Sequence, residues 1–259
     1  MMFCVASIAG IMVGLCSGML GIGGGIIMVP LFRLVFGLSP IEATATSFFT
    51  IIPTSIAGLY KHFKNHTSIL TLGCCMGLAG ACTSPLGVWC AAHASGWMIM
   101  VVVACVIVYS AGSMLHKVLN RSVSSLASET SSQFTPKDYV IATAIGLGAG
   151  FLGGFAGVGG GFIIVPLLVS VLGLTMVQAS GTSLVAVMLL AIPGTIEQAL
   201  LGNISYTIGL AMALGSVPGA IWGAGLAKRV PDKKLKLLFS GFLCVVAIVL
   251  VANEFIFVG

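Results

Sequence analysis

Charge is almost missing from this chain. Of its 259 residues eleven are basic and six acidic, 7% in all, where an ordinary soluble domain carries about 25%. So few charges cannot cover a soluble core of this size, so most of the exterior must face lipid. The excess of five positive charges does not indicate nucleic acid, because the basic residues are scattered among short loops and form no patch. They read as topology signals. Also missing are a Walker loop, a zincin motif, a serine nucleophile elbow and paired carboxylates. The sequence therefore offers no enzyme chemistry, no cofactor site and no ATP site of its own. His62, His66, His93 and His116 stand apart at segment ends and no C-x-x-C spacing occurs, so no metal site is expected. The eight cysteines all lie in apolar segments and read as small hydrophobes. The amino terminus MMFCVASIAGIMVGLC lacks a basic region and a cleavage-like site, and reads as part of the mature protein.

What is present is 58% hydrophobic residues, with a mean hydropathy of +1.17. A membrane-spanning helix needs about 20 apolar residues in sequence. Residues 3–36, 41–60, 67–92 and 97–116 supply one set of such runs, and residues 139–172, 176–201, 204–227 and 235–256 a second. Between the sets, residues 117–137 (KVLNRSVSSLASETSSQFTPK) are polar and serine-rich, as a solvated linker would be. The expected organisation is a first membrane repeat over 1–116, a cytoplasmic linker over 117–137 and a second membrane repeat over 138–259.

A repeated motif supports that division. Residues 21–31 read GIGGGIIMVPL and residues 157–167 read GVGGGFIIVPL, identical at eight of eleven positions at an offset of 136. The same register sets Gly37-Leu38 on Gly173-Leu174 and Thr46-Ser47 on Thr182-Ser183. Pro218 and Trp222 match Pro85 and Trp89 once a three-residue deletion is allowed. A self-match of this length means one structural unit used twice.

The glycines fall inside the first apolar block of each repeat. As one straight helix, residues 3–36 would be about 51 Å long, too long for a single crossing of a core about 30 Å thick. If each broken block crosses once, the eleven basic residues divide five against six; if it goes in and comes back, ten share one side and only Arg33 lies opposite. The positive-inside rule favours the second arrangement, with both termini outside the cytoplasm and the two halves inverted. The expected fold is all-α: a polytopic membrane protein of two inverted-topology repeats, each with a broken or hairpin first segment and three spanning helices.

A helix that restarts after three glycines presents backbone N–H groups without intrahelical partners, beside the positive end of its dipole. At membrane depth such groups survive only against protein or a water-filled cavity, and they suit a small anion. Gly23, Gly24 and Gly25 with Gly159, Gly160 and Gly161 are therefore candidate substrate contacts, as are the hydroxyls of Thr46, Ser47, Thr182 and Ser183. The alternatives are tight helix packing for the glycines and a bond to the carbonyl one turn back for the hydroxyls. Glu197, beside Gln198, is an acid in an apolar segment, either a proton carrier or a headgroup-level residue. Glu42 reads as a cap at a segment start, and Arg33 as an interfacial arginine or an outer anion-steering charge.

The pattern GxGGGxxxVPxL, followed by a short G-L-S/T loop and A-x-x-T-S, in both halves of a chain near 260 residues, resembles the sulfite exporter TauE/SafE family. The resemblance implies a polytopic permease of the cell (cytoplasmic) membrane that moves small sulfur-containing anions such as sulfite, sulfoacetate or thiosulfate, usually outward. By that likeness Gly23, Gly24, Gly25, Pro30, Thr46 and Ser47 match the first motif. Gly159, Gly160, Gly161, Pro166, Thr182 and Ser183 match the second. The expected partners are the anion and the lipid bilayer, with a homodimer compatible and nucleic acid excluded. A passive anion channel and a non-transporting membrane accessory subunit are the rival readings.

Overall fold

A computed structural model describes residues 2–94, 105, 108–110, 112 and 134–257. The segment expected at 97–116 lies outside them save for five positions, as does the linker up to residue 133. The first set of helices is α1 (Met2–Leu20), α2 (Gly25–Leu34), α3 (Pro40–Lys64) and α4 (Leu70–His93). The second is α5 (Pro136–Ala156), α6 (Gly161–Ser170), α7 (Met176–Leu200), α8 (Tyr206–Ala227) and α9 (Asp232–Phe257). Among the described residues there is no strand. Among the described residues five helices are long and apolar enough to cross a membrane: α1, α4, α5, α7 and α8. At ten residues each, α2 and α6 are about 15 Å long and reach only part of the way.

The repeated sequence sets repeated helix ends. Ser39 and Glu42 form a capping box at the start of α3, and Thr175 and Gln178 form its counterpart on α7. The Ser39 N–H donates to Glu42 Oε2 at 3.0 Å, which gives Glu42 the capping role expected of it. Gly37 and Gly173 close α2 and α6 with φ of 66° and 67°. There the Leu38 and Leu174 N–H groups reach back to the Phe32 and Leu168 carbonyls at 3.1 and 3.2 Å. These turns send the chain from each short helix directly into a long one.

Small residues then bring the long helices together. In lipid there is no hydrophobic drive between helices, so close backbone approach must supply the contact. On α1, Gly10, Gly14 and Gly18 lie against Met212, Ser216 and Ala220 of α8, backbone to backbone. On α5, Gly146, Gly150 and Gly154 lie against Met76, Gly80 and Ser84 of α4 in the same way. Every one of these pairs keeps the offset of 136. The three-residue deletion that would match Pro218 and Trp222 with Pro85 and Trp89 is therefore corrected: α8 and α4 correspond without a gap. Trp89 and Trp222 are 59% and 66% exposed. A lipid-facing side chain is free to sit elsewhere on the helix because the small-residue seam, not the tryptophan, sets the register.

The contacts also give direction. Along α1 and α8 the contacting residue numbers rise together, as they do along α4 and α5. Between α3 and α7 they run oppositely: Gly58 meets Leu184, Gly181 meets His62, and Gly194 meets Phe48. The two equivalent long helices are antiparallel at the middle of the molecule. Around them Met28, Phe32, Phe48, Ile51, Phe162 and Leu190 are fully buried. The outward faces carry exposed Ile8, Met12, Val140 and Leu214, the surface a bilayer covers.

Candidate functional site

The centre of the molecule is made by the two glycine turns. After α1, Gly21, Gly23 and Gly24 have φ of 74°, 71° and 87°; after α5, Gly157, Gly159 and Gly160 have 67°, 76° and 70°. Any other L-residue would pay about 1–2 kcal/mol at each of these left-handed positions, so the doubled motif follows from the backbone it must make. The turn folds the chain back on itself: a methyl group at Gly24 would stand 3.2 Å from Val13 Cγ1 and 3.6 Å from Ser17 Cβ, both on α1.

Both turns meet. A methyl at Gly25 would stand 2.7 Å from the carbonyl carbon of Val158, and one at Gly161 would stand 2.9 Å from the Gly21 carbonyl oxygen and the Ile22 Cα. The start of each short helix thus abuts the backbone of the other turn. In the first turn of α2 the Ile27 and Met28 N–H groups both bond the Gly24 carbonyl, and in α6 Ile163 and Ile164 do the same with Gly160, all at 3.0–3.1 Å. Among the described residues no acceptor serves the N–H groups of Gly23, Gly24, Gly25 and Ile26, or those of Gly159, Gly160, Gly161 and Phe162. Each helix start carries roughly half a positive charge, so two partly positive ends with bare donors lie where the turns meet, each start against a carbonyl of the other turn, Val158 or Gly21. Ile51 Cδ1 and Val187 Cγ1, which are themselves equivalent, cover the turns from α3 and α7: they would stand 2.7 Å from a methyl at Gly25 and 2.5 Å from one at Gly23. The centre is occluded by these two apolar side chains.

The hydroxyls expected at the site divide into different roles. Thr46 Oγ1 accepts from the Ser205 N–H at 3.0 Å, and Thr182 Oγ1 from the Ile69 N–H at 3.0 Å. Each threonine therefore caps the long helix of the other repeat, α8 or α4. Ser183 Oγ lies 2.6 Å from the Gly21 carbonyl and donates to it, latching α7 to the first glycine turn. Its counterpart Ser47 is fully buried and, among the described residues, has no partner. Glu197 lies ten residues beyond Val187 on α7, about 15 Å along the axis, so the fold does not bring it to the turns. Its Oε2 is buried with no partner among the described residues.

Two hydroxyls that the sequence did not single out are placed at the first turn. Ser17 and Ser55 are 0% exposed, and neither has a hydrogen-bond partner among the described residues. Ser55 Oγ lies 3.5 Å from where a methyl at Gly23 would be, and the Ser17 side chain borders Gly24. The available signal was spacing: Ser17 sits one helical turn before Gly21, and Ser55 one turn after Ile51 on the same face of α3. Neither position repeats, since the equivalents are Gly153 and Ala191. The neighbouring hydroxyls on α3 are satisfied: Thr50 and Thr54 each bond the carbonyl one turn back at 2.8 Å, and Thr54 pairs with Ser216 of α8 at 2.5 Å. His62 Nε2 donates to the Gly18 carbonyl at 2.9 Å, tying the end of α3 to α1 just before the turn. Among the described residues no group of three or more His, Cys, Asp or Glu side chains is placed to hold a metal.

Residues 6–250 match the family model described as sulfite exporter TauE/SafE. The chain belongs to this family. Over 93% of its length it is 30% identical to a probable membrane transporter protein of Haemophilus influenzae, covering 95% of that protein. It is 22% identical to the probable membrane transporter protein YunE of Bacillus subtilis, covering 99% of it, and 22% identical to the probable membrane transporter protein MJ0441 of Methanocaldococcus jannaschii, covering 92% of it. No solved structure matches the chain. With its apolar helices, this membership makes the protein a multi-pass membrane transporter of the TauE/SafE type.

Proposed function

We propose that this chain is a secondary transporter, an exporter of small sulfur-containing anions such as sulfite, sulfoacetate or thiosulfate. The two repeats lie inverted across the bilayer, with the basic loops on the cytoplasmic side, and the anion binds at mid-depth between the starts of α2 and α6. The observation that carries this reading is the pair of glycine turns brought together with free amides at both helix starts and, at the first turn, the unpartnered, fully buried side chains of Ser17 and Ser55. A partly positive helix start suits an anion, and buried donors without acceptors are costly until a ligand supplies one. A hydroxyl and an amide are also the economical donors here, because a buried lysine or arginine would cost far more in lipid.

The closure by Ile51 and Val187 favours a carrier over a passive channel. A standing pore needs an open path, whereas here the chain must rearrange before the site is reached. In the inverted-repeat design, rocking one repeat against the other exposes such a site to each side in turn. The test is purified protein in liposomes with radiolabelled sulfite, thiosulfate, sulfoacetate and sulfate, with and without a pH gradient. Saturable flux of a sulfur oxyanion that Gly24→Leu abolishes is the expected result. Unsaturable flux, or no flux of any of the four anions, overturns the reading.

A further inference from the structure

A second concave feature lies away from the glycine turns, where the C-terminal ends of α3 and α8 meet. It is a cavity of about 480 Å³ whose lining includes Lys61 of α3 and Lys228 and Arg229 just after α8, with no acidic residue among its walls. Among the described residues the ion pair is Lys236–Asp232, so none of these three cations has a carboxylate partner. Cations at helix C-termini do offset the dipoles, but two such ends supply roughly one negative charge in total against three positive ones. Two positive charges remain unmatched.

The cavity has two chemical ends. Its floor is Gly225, where an added methyl would meet only the flexible end of the Lys61 side chain, at 3.3 Å. Its outer wall is Trp222 and Leu226, 66% and 42% exposed, on a surface that faces hydrocarbon or the headgroup boundary. Nothing in the repeat requires such a cavity. At the equivalent place in the other half Glu197 stands for Lys61, Trp89 for Gly225, Ala92 for Lys228 and His93 for Arg229, so neither the three cations nor the open glycine is repeated. The cations were placed at one end of the molecule only, on the side where the loops are basic.

We propose that this cavity binds the phosphate headgroup of an anionic phospholipid from the leaflet facing the basic loops, with an acyl chain along Trp222 and Leu226. Three cations converging on one concavity fit a phosphate ester, and the exposed apolar wall fits the rest of a lipid. Free inorganic phosphate shares the headgroup chemistry but has no use for the apolar wall. This proposal does not depend on the transport reading, since it needs only the membrane and the cavity.

The experiment places purified protein in nanodiscs of phosphatidylcholine alone or with phosphatidylglycerol, and follows bound lipid by native mass spectrometry. A Trp89→Phe/Trp97→Phe background reports quenching of Trp222 by brominated phosphatidylglycerol. Retained phosphatidylglycerol and selective quenching are expected. Lys61→Gln/Lys228→Gln/Arg229→Gln should weaken the lipid about a hundredfold, at about fivefold per cation. If that triple variant does not fold, Gly225→Trp fills the floor while leaving every charge in place, and should lower affinity alone. Wild-type lipid affinity in either folded variant overturns the proposal. So does complete displacement of bound phosphatidylglycerol by millimolar inorganic phosphate, which would make the occupant a free anion.

Discussion

Replacing Ser55 with alanine should change stability and affinity in opposite directions. The Ser55 hydroxyl is fully buried without a partner among the described residues, and an unsatisfied buried hydroxyl costs about 1–3 kcal/mol. Removing it relieves that cost and leaves a void of a single oxygen, so Ser55→Ala should be as stable as the parent or more stable by about 1 kcal/mol. If the hydroxyl donates to the transported anion, the same change removes a charge-assisted hydrogen bond worth about 1.5–3 kcal/mol. That corresponds to a rise of roughly 10- to 150-fold in KM or Kd. Ser17→Ala, bordering Gly24, should behave alike. The control is Thr54→Val, which breaks the Thr54–Ser216 pair and should lose about 1 kcal/mol of stability with affinity unchanged. Thermal unfolding in detergent and concentration-dependent flux in liposomes read the two effects separately. A Ser55→Ala protein that melts earlier and transports with unchanged KM would show that the hydroxyl serves the fold, and would refute its placement in the anion site.

The remaining expectations concern the frame around that site. Gly14→Leu and Gly150→Leu should each prevent stable insertion or folding, because the added side chain would collide with the backbone of Ser216 or Gly80; protease resistance in membranes measures this. Thr46→Val and Thr182→Val should each destabilise by about 0.5–2 kcal/mol through loss of the cap on the other repeat's helix, and a double variant should be close to additive in unfolding experiments. Ile51→Ala and Val187→Ala should raise flux or loosen coupling by thinning the plug over the turns, read as uptake in the absence of a gradient. Reporter fusions should place the carboxyl terminus outside the cytoplasm, and a fusion active only inside the cytoplasm would sink the inverted arrangement.

Composition alone made this a membrane protein, since 7% charge cannot coat a water-facing surface. Periodic self-similarity at an offset of 136 made it a double unit, and the glycine runs foretold where each first block would break. Those inferences are local: a left-handed turn demands glycine wherever the chain goes next, and a capping box such as Ser39–Glu42 is set by residues three apart. The threonines show where local reasoning ends. The spacing of Thr46 and Thr182 gave no hint that their partners would be the Ser205 and Ile69 amides of the opposite repeat, because that pairing exists only once the repeats interlock. Ser17 and Ser55 lie 38 residues apart in sequence, and only packing brings Ser55 to Gly23 and Ser17 to Gly24. Pro218 and Trp222 misled for the converse reason: conspicuous residues matched in sequence, while the small residues at the α1–α8 seam governed the register. What the chain wrote in its own order were the turns and the solvent; what folding alone decided was which buried donors would be left without acceptors, because burial and partnership are properties of contacts between distant segments.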